Sequence, residues 1–153
     1  MSLSIRPAAL PDAEPVVALY LRARKAAVRV GSIPPSVHSD DEVSHWITHF
    51  VIPKLEPWVA ERSDGTIVGL LVLDDEWIDQ LYVDPDLTGQ GIGARLLDLA
   101  KRERPQGLRL WTFVSNSGAK RFYERHGFVE IERTNGSHNE EGAPDIQYAS
   151  ISA

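Results

Sequence analysis

The hydrophobic pattern of the first third of the chain predicts one strand followed by two helices. Residues 3–8 alternate like a short strand, after which Pro11 and Asp12 can open a helix. The apolar positions of that helix recur at helical spacing: Val16, Val17, Leu19, Tyr20 and Ala23. Residues 30–41 contain two prolines and a glycine, which predict a loop. Ser39 or Asp40 can then cap a second helix, expected to end before Pro53. Its apolar positions are Val43, Trp46, Ile47 and Phe50.

The rest of the chain reads as strands interrupted by two helices. An Asp-Gly turn at Asp64 and Gly65 joins two apolar runs and predicts an antiparallel hairpin. The later elements are predicted as strand 77–83, helix 91–103, strand 108–114, helix 117–126, strand 128–134 and strand 145–151. Gly127 suits the end of the last helix. The full order is strand, two helices, three strands, helix, strand, helix and two strands. That order favours a mixed α/β fold around one sheet.

Three glycines, Gly89, Gly91 and Gly93, lie between a predicted strand and a predicted helix. Glycines in this position let backbone N–H groups converge on an anion at the helix N-terminus. A flexible connection is the plainer interpretation of the same glycines. The helix behind them has one apolar face, formed by Ile92, Leu96, Leu99 and Ala100, while Arg95, Asp98 and Arg102 can face water.

Two nucleotide-binding motifs do not fit the glycine segment. A P-loop needs Lys and then Ser or Thr after its last glycine, where this chain has Ala94 and Arg95. A dinucleotide fingerprint needs a third glycine where the chain has Leu96. A nucleotide-binding module is therefore the third choice among the functions considered.

Composition narrows the class of protein. A chain of 153 residues is expected to form one domain over 1–153, and 42% apolar with 25% charged residues is typical of a soluble protein. No segment is long enough to span a membrane, and the first residues lack a secretory signal, so a cytoplasmic location is expected. Without cysteine there is no thiolate nucleophile. A net charge of −6 argues against a nucleic-acid partner and favours a cationic small molecule.

Two segments together resemble the cofactor site of the GNAT N-acetyltransferase superfamily. A strand ending in Leu81, Tyr82 and Val83 leads into a loop in which Gly91 and Gly93 fill the family's two small positions. Thr88 stands where the family usually has Arg or Gln, a mild departure because that loop binds diphosphate chiefly through main-chain N–H groups. In the second segment, 116–128, an Asn is followed seven residues later by Tyr123 and then by Gly-Phe, as in the family.

This resemblance implies a fold and a reaction. The fold is α/β (mixed α+β), a single GNAT-like domain with a mostly antiparallel, twisted sheet of about seven strands, splayed in the middle and flanked by about four helices. The reaction is acetyl transfer from acetyl-CoA to a primary amine of a small molecule or peptide, by direct attack in a ternary complex. The implied cofactor-binding residues are Leu81, Tyr82, Val83, Thr88, Gly89, Gln90, Gly91, Ile92, Gly93, Ala94, Asn116 and Tyr123. The resemblance implies no metal, and it allows a homodimer.

Tyr123 is the candidate acid of the implied reaction. A phenol stays protonated at neutral pH because its ordinary pKa is about 10, so it can hydrogen-bond the departing sulfur. On spacing alone Tyr123 could instead be a core aromatic, because it shares a helical stripe with Ala119 and His126. Asn116 could likewise act as a helix cap, as a ligand of the pantetheine arm, or as both. The thioester carbonyl is expected to meet a backbone N–H near Tyr82 or Val83.

The base is chosen from the strand that precedes the glycine loop. Simple alternation places Trp77, Asp79, Leu81 and Val83 on one face and Glu76, Ile78, Gln80 and Tyr82 on the other. In the family, a base on this strand aligns with Trp77 or Asp79. Asp79 is therefore the first candidate, acting directly or through water, and Glu76 is the second. Either could also be only a solvated carboxylate.

Other polar and aromatic groups support weaker hypotheses. His45 and His49 are four residues apart on a predicted helix but lack the Glu of a zinc-protease motif, so a cleft wall or plain surface is favoured. The loop with His138, Glu140, Glu141 and Asp145 is either a solvated turn or a group that holds a cationic acceptor. Trp46, Trp58 and Trp111 are expected in the core or lining the cleft.

The sequence thus predicts an acetyltransferase whose first two helices and final hairpin shape the acceptor cleft. A non-catalytic acyl-CoA-binding or sensing module is the alternative from another class. A usable base together with Tyr123 would favour the enzyme over the sensor.

Overall fold

The computed structural model describes residues 2–150 and contains one seven-stranded sheet in the order β1-β2-β3-β4-β5-β7-β6. The strands are β1 (Leu3–Pro7), β2 (Glu56–Arg62), β3 (Ile67–Asp74), β4 (Trp77–Val83), β5 (Arg109–Phe113), β6 (Phe128–Thr134) and β7 (Asp145–Ser150). The helices are α1 (Ala13–Arg29), α2 (Asp40–Trp46), α3 (Ile92–Glu103) and α4 (Ser117–Arg125). The predicted order of elements is confirmed, while Ile151, assigned above to the last strand, lies outside the described residues.

The helices begin and end where local hydrogen bonding dictates. Ser39 starts α2 with a capping box: its hydroxyl accepts from the Glu42 N–H at 3.1 Å, and the Glu42 carboxylate accepts from the Ser39 N–H at 2.8 Å. Of the two predicted caps, Ser39 is therefore the one used. Asn116 caps α4 by accepting from the Ala119 N–H at 3.2 Å, and Gly127 follows that helix with a φ of 89°.

The sequence predicted that the second helix ends before Pro53, but the helix continues beyond this residue. It runs from α2 through a π-helical turn, Ile47–Val51, into a last turn, Ile52–Lys54. A π turn widens the helix, and the wider backbone accommodates a residue that lacks an N–H group. The extra residue in this turn also shifts the buried face. Val51 is buried, whereas Phe50, predicted on that face, is 43% exposed.

The helices cover the two faces of the sheet with separate cores. One core joins α1 and the second helix to β2 and β3, and it contains Val16, Leu19, Ile47, Leu70 and Val72. The other lies under α3 and α4 and contains Leu71, Leu96, Leu97, Phe128 and Tyr148. Leu97, absent from the predicted face of α3, is fully buried. No helix in the described part of the chain is both long and apolar enough to cross a bilayer.

Gly69 of β3 sets the distance between the sheet and α3. A Cβ added at this position would lie 2.9 Å from Leu96 Cδ1 and 3.1 Å from Ile92 Cγ2. Glycine thus lets the helix lie close to the strand, because an added Cβ would require Leu96 to move and would crowd Ile92 and Ala60, whose Cβ would be 3.1 Å away. The approach fixes the beginning of α3 beside the end of β4.

A β-bulge at Asp79 corrects the simple alternation predicted for β4. Gln80 pairs with Val72 and Ile78 pairs with Leu73, which leaves Asp79 without a partner in the ladder. A bulge places one extra residue on a strand and reverses the alternation beyond it. Ile78 is accordingly buried in the same core as Leu81, not on the opposite face as predicted.

The sheet opens between β4 and β5. These parallel neighbours share a single residue pair, Trp77↔Arg109, with the Arg109 N–H donating to Glu76 O at 2.9 Å. From Ile78 to Val83 the edge of β4 that faces β5 has no strand partner within the described residues. The predicted splay in the middle of the sheet is confirmed, and it leaves backbone groups of β4 free beside the start of α3.

Candidate active site

The loop between β4 and α3 presents a run of free backbone donors. Gly89 and Gly91 have φ values of 80° and 81°, which residues with a side chain rarely adopt. In the described chain, none of the N–H groups from Thr88 through Ala94 donates to another protein group. The first helical hydrogen bond joins the Arg95 N–H to Gly91 O at 3.0 Å. Free N–H groups at a helix start attract anions, so this loop fits a diphosphate.

A groove leads from this loop into the opening of the sheet. Its outer part has a volume of about 530 Å³, and its inner part, between β4 and β5, about 240 Å³. Leu81, Ala119 and Tyr123 line both parts. Of the predicted cofactor residues, Val83, Thr88, Gly89, Gly91, Ile92, Gly93 and Ala94 line the outer part, and Tyr82 and Asn116 line the inner part. Gln90 lines neither part, so the structure brings all the predicted cofactor residues except Gln90 to one groove.

The free edge of β4 supplies backbone donors at the middle of the groove. The Asp84 N–H donates to Val68 O at 2.9 Å and therefore points toward β3. Because successive N–H groups alternate in direction along a strand, those of Val83 and Leu81 point toward the opening. The side chain of Tyr82 lies on the other face, where its hydroxyl accepts from Arg24 at 3.0 Å.

Tyr123 places a hydroxyl in the groove. Only 8% of the residue is exposed, and its ring packs edge-on against Phe122 and Phe128 with centroid distances of 5.2 and 5.5 Å. Every fully buried side-chain N or O atom of the described residues has a hydrogen-bond partner, but the Tyr123 hydroxyl has none, so it opens onto the groove. Burial raises the pKa of Tyr123, which keeps the phenol protonated.

Asp79 presents its carboxylate to the inner part of the groove. As the bulge residue, it lies beside Gln80, whose Nε2 donates to Asp79 Oδ2 at 3.3 Å. The carboxylate is accessible from the cavity, yet the surrounding protein removes part of its hydration and raises the pKa of Asp79. A carboxylate with a raised pKa is a better proton acceptor.

Glu76, the second candidate base, lies outside the groove. It occupies the turn between β3 and β4, where its Oε2 is 3.5 Å from Nε of Arg109. It lines neither part of the groove, because the turn places it at the end of the sheet, before the first residue of β4. Asp79 and Tyr123 are therefore the two candidate catalytic side chains that the fold brings together.

A third cavity, of about 790 Å³, adjoins the inner groove and shares Arg24, Gln80 and Glu141 with it. Its walls come from α1, the α1–α2 connection, α2 and the β6–β7 loop. These are the elements predicted to shape the acceptor cleft, so this cavity is the candidate for it. Its lining includes aromatic residues, Tyr20 and Trp46, and four carboxylates, Asp41, Glu42, Glu140 and Glu141. His45 also lines this cleft, and its ring lies 4.4 Å from that of His49.

The polar loop between β6 and β7 divides into two parts with different roles. Asp145 is only 4% exposed and accepts from Thr134, His138 and Asn139, so it holds the loop in shape. Glu140 instead faces the acceptor cleft, where its Oε2 is 2.8 Å from Nε2 of His38. Asp145 therefore does not fit the interpretation of this loop as a solvated turn, whereas a role in holding a cationic acceptor stays a prediction for Glu140 and Glu141.

Sequence reasoning missed Arg24 and several groove residues. Arg24 lies one turn after Tyr20 on α1 and lines both the acceptor cleft and the inner groove. A charged residue next to the apolar stripe of a helix was the available signal. Phe122, Arg125 and His126 line the outer groove, and no pattern in the sequence separates them from an ordinary helix surface.

Comparisons with known proteins agree with this geometry. The model of an acetyltransferase (GNAT) domain matches residues 53–130. The peptidyl-lysine N-acetyltransferase YjaB of Salmonella typhimurium is 30% identical over 134 residues, which cover 88% of each chain. The solution structure of apo YjaB from Escherichia coli has a TM-score of 0.79 at 27% identity and covers both chains fully. The PaiA N-acetyltransferase of Thermoplasma acidophilum, in complex with coenzyme A, shares the fold with a TM-score of 0.72 at 21% identity over 99% of both chains.

Proposed function

Since this chain belongs to the GNAT family of acetyltransferases and is an acyltransferase, we propose that its groove binds acetyl-CoA beside a primary amine held in the acceptor cleft. One observation carries the proposal. The free N–H groups from Thr88 to Ala94 lie in the outer part of a groove whose inner part is lined by Asp79 and Tyr123. An anion-binding loop joined to an acid and a base suits a long cofactor with a diphosphate and a reactive tail.

Two side chains and one backbone N–H group each have a separate role in acyl transfer. Acetyl-CoA would supply an acetyl group activated as a thioester. Asp79 accepts a proton from the incoming ammonium, directly or through water, and leaves an amine that can attack. The Val83 N–H donates to the carbonyl oxygen as negative charge develops there. Tyr123 gives its proton to the departing sulfur while the carbon–nitrogen bond forms and the carbon–sulfur bond breaks. The new amide nitrogen releases its surplus proton, which restores the Tyr123 phenol through water, and Asp79 returns its proton to solvent.

The charge of the cleft supports a cationic acceptor. Its four carboxylates attract a protonated amine from solution, whereas they repel an anionic substrate. The relative YjaB, from Salmonella typhimurium and from Escherichia coli, is named a peptidyl-lysine N-acetyltransferase, so a lysine side chain in a peptide is the first acceptor to test.

The test measures thiol release from acetyl-CoA with a lysine-containing peptide and a panel of small primary amines. We expect thiol release with at least one amine, together with a product heavier by one acetyl group in mass spectrometry. The matched control is the same peptide with its lysine already acetylated and its N-terminus blocked, which should release no thiol. Binding of coenzyme A without release for every amine would instead support the sensing module.

A further inference from the structure

Arg24 lies where the acceptor cleft meets the inner groove. It lines both cavities, and only 15% of its side chain is exposed. A substrate amine that reaches Asp79 and Tyr123 from the cleft must therefore pass beside its guanidinium group. No step of the acyl transfer described above uses this residue.

The guanidinium is held firmly but retains unused donors. Its Nη1 donates to the Tyr82 hydroxyl at 3.0 Å, and its Cζ lies 5.8 Å from the centre of the Tyr20 ring. Its nearest carboxylate, Glu141, is 4.0 Å away, which is too long for a hydrogen bond. A guanidinium has five N–H donors, so these neighbours leave several unused. Since no fully buried side-chain nitrogen of the described residues lacks a partner, the unused donors face the cavities.

The surrounding charges decide which kind of substrate acceptor these N–H groups can bind. Glu141 already balances part of the positive charge of Arg24, and His38 pairs with Glu42 and Glu140 in the same cleft. Together with Asp41, these carboxylates outnumber Arg24 and His38 in the lining. A substrate carboxylate would be repelled by these side chains. A neutral carbonyl oxygen, in contrast, accepts hydrogen bonds from Arg24 without adding negative charge to the cleft.

We propose that Arg24 determines acceptor specificity by donating hydrogen bonds to a neutral amide carbonyl of the substrate, which makes the acceptor a peptide lysine and not a simple alkylamine or free amino acid. This inference rests on the proposed acetyl transfer. Tyr82 connects acceptor recognition with acetyl transfer. It anchors Arg24, and it lies between Leu81 and Val83, whose N–H groups point toward the opening of the sheet. A carbonyl bound to Arg24 would therefore be placed at a fixed position relative to the reacting centre.

The experiment compares three acceptors that carry the same type of primary alkylamine. They are Nα-acetyl-lysine methylamide, Nα-acetyl-lysine with its free carboxylate, and pentylamine, which has no carbonyl. For the unmodified protein we expect kcat/KM for the methylamide to exceed that for each of the others by about tenfold or more, as expected for a hydrogen bond to a charged group. In Arg24→Gln the advantage over pentylamine should fall to about twofold, with an unchanged Kd for coenzyme A.

Controls separate this role from a structural one. Arg102, exposed on α3 and outside the cavities described, provides the matched variant Arg102→Gln, which should keep the full preference. Arg24→Lys keeps the charge but loses the planar set of donors, so it should recover only part of the preference. If Arg24→Gln does not fold, the acceptor comparison in the unmodified protein still decides whether the carbonyl is recognised.

Three outcomes would overturn the inference. Equal kcat/KM values for pentylamine and the methylamide would remove the carbonyl from recognition. A preference for the free carboxylate would assign Arg24 to an anionic substrate. An equal loss for all three acceptors in Arg24→Gln would make the residue structural. Acetylation of no amine at all would refute the proposed function itself and is distinguishable from these results.

Discussion

Substitution of Gly91 by valine tests the diphosphate loop directly. Gly91 has a φ of 81°, and a Cβ at this position would meet nothing within 4 Å, so the substitution creates strain without a clash. For a residue with a side chain, the left-handed conformation costs about 1–2 kcal/mol, and β-branched residues are rare outliers there. The loop should relax to negative φ and turn at least one free N–H group away from the diphosphate. A hydrogen bond to a charged group contributes about 1.5–3 kcal/mol, so the Kd for coenzyme A should rise by about ten- to a hundredfold.

Gly65 in the β2–β3 turn provides the matched control. It has a φ of 89° and equally open surroundings, and it lines neither part of the groove. Gly65→Val should therefore lower the free energy of unfolding by a similar amount to Gly91→Val but leave the Kd unchanged. Isothermal titration calorimetry with coenzyme A and thermal unfolding measure the two effects separately. If Gly91→Val bound coenzyme A as tightly as Gly65→Val, the loop would not hold the diphosphate and the assignment of the groove would fail.

Three further predictions concern the acid, the base and the packing of the sheet. Tyr123→Phe should lower turnover about 10²- to 10⁴-fold while the coenzyme A Kd and the melting temperature stay nearly constant, because the hydroxyl has no protein partner; unchanged turnover would exclude this acid. In a pH profile of kcat/KM, activity should fall as the pH drops through the raised pKa of Asp79, above the range of an ordinary Asp, and Asp79→Asn should remove this limb while Glu76→Gln keeps it. Gly69→Ala should lower the free energy of unfolding by about 1–3 kcal/mol in urea titrations, because its Cβ would meet Leu96 at 2.9 Å, and an unchanged midpoint would contradict that close packing.

The order of elements could be predicted because each one carries its own local signal. The apolar stripe of α1, the capping box at Ser39 and the Asp-Gly turn at Asp64 each depend on a few neighbouring residues. The glycines before α3 and the Asn116 cap are local in the same sense. These signals predict most of the proposed cofactor groove, because its walls follow directly from the two strand-to-helix connections.

The features that the sequence did not reveal depend on packing between distant segments. The bulge at Asp79 is visible only in the pairing of β4 with β3, and the π turn before Pro53 only in the hydrogen bonds of the folded helix. Arg24 enters the site because α1 lies across β4 and meets Tyr82, which is 58 residues away in sequence. Spacing along one chain segment does not encode such contacts, so the acceptor side was predicted less completely than the cofactor side.

The unpaired residue of β4 has a consequence for protein engineering. Removing Asp79 from the chain would bring Ile78 next to Gln80 and join two stretches of ladder that now differ in register by one. The shortened strand would alternate regularly, with Ile78 still directed into the same apolar layer as Leu81. A one-residue deletion would thus leave the architecture intact and remove the proposed proton acceptor. The proposed proton acceptor is thus the one residue of β4 that the ladder with β3 leaves unpaired.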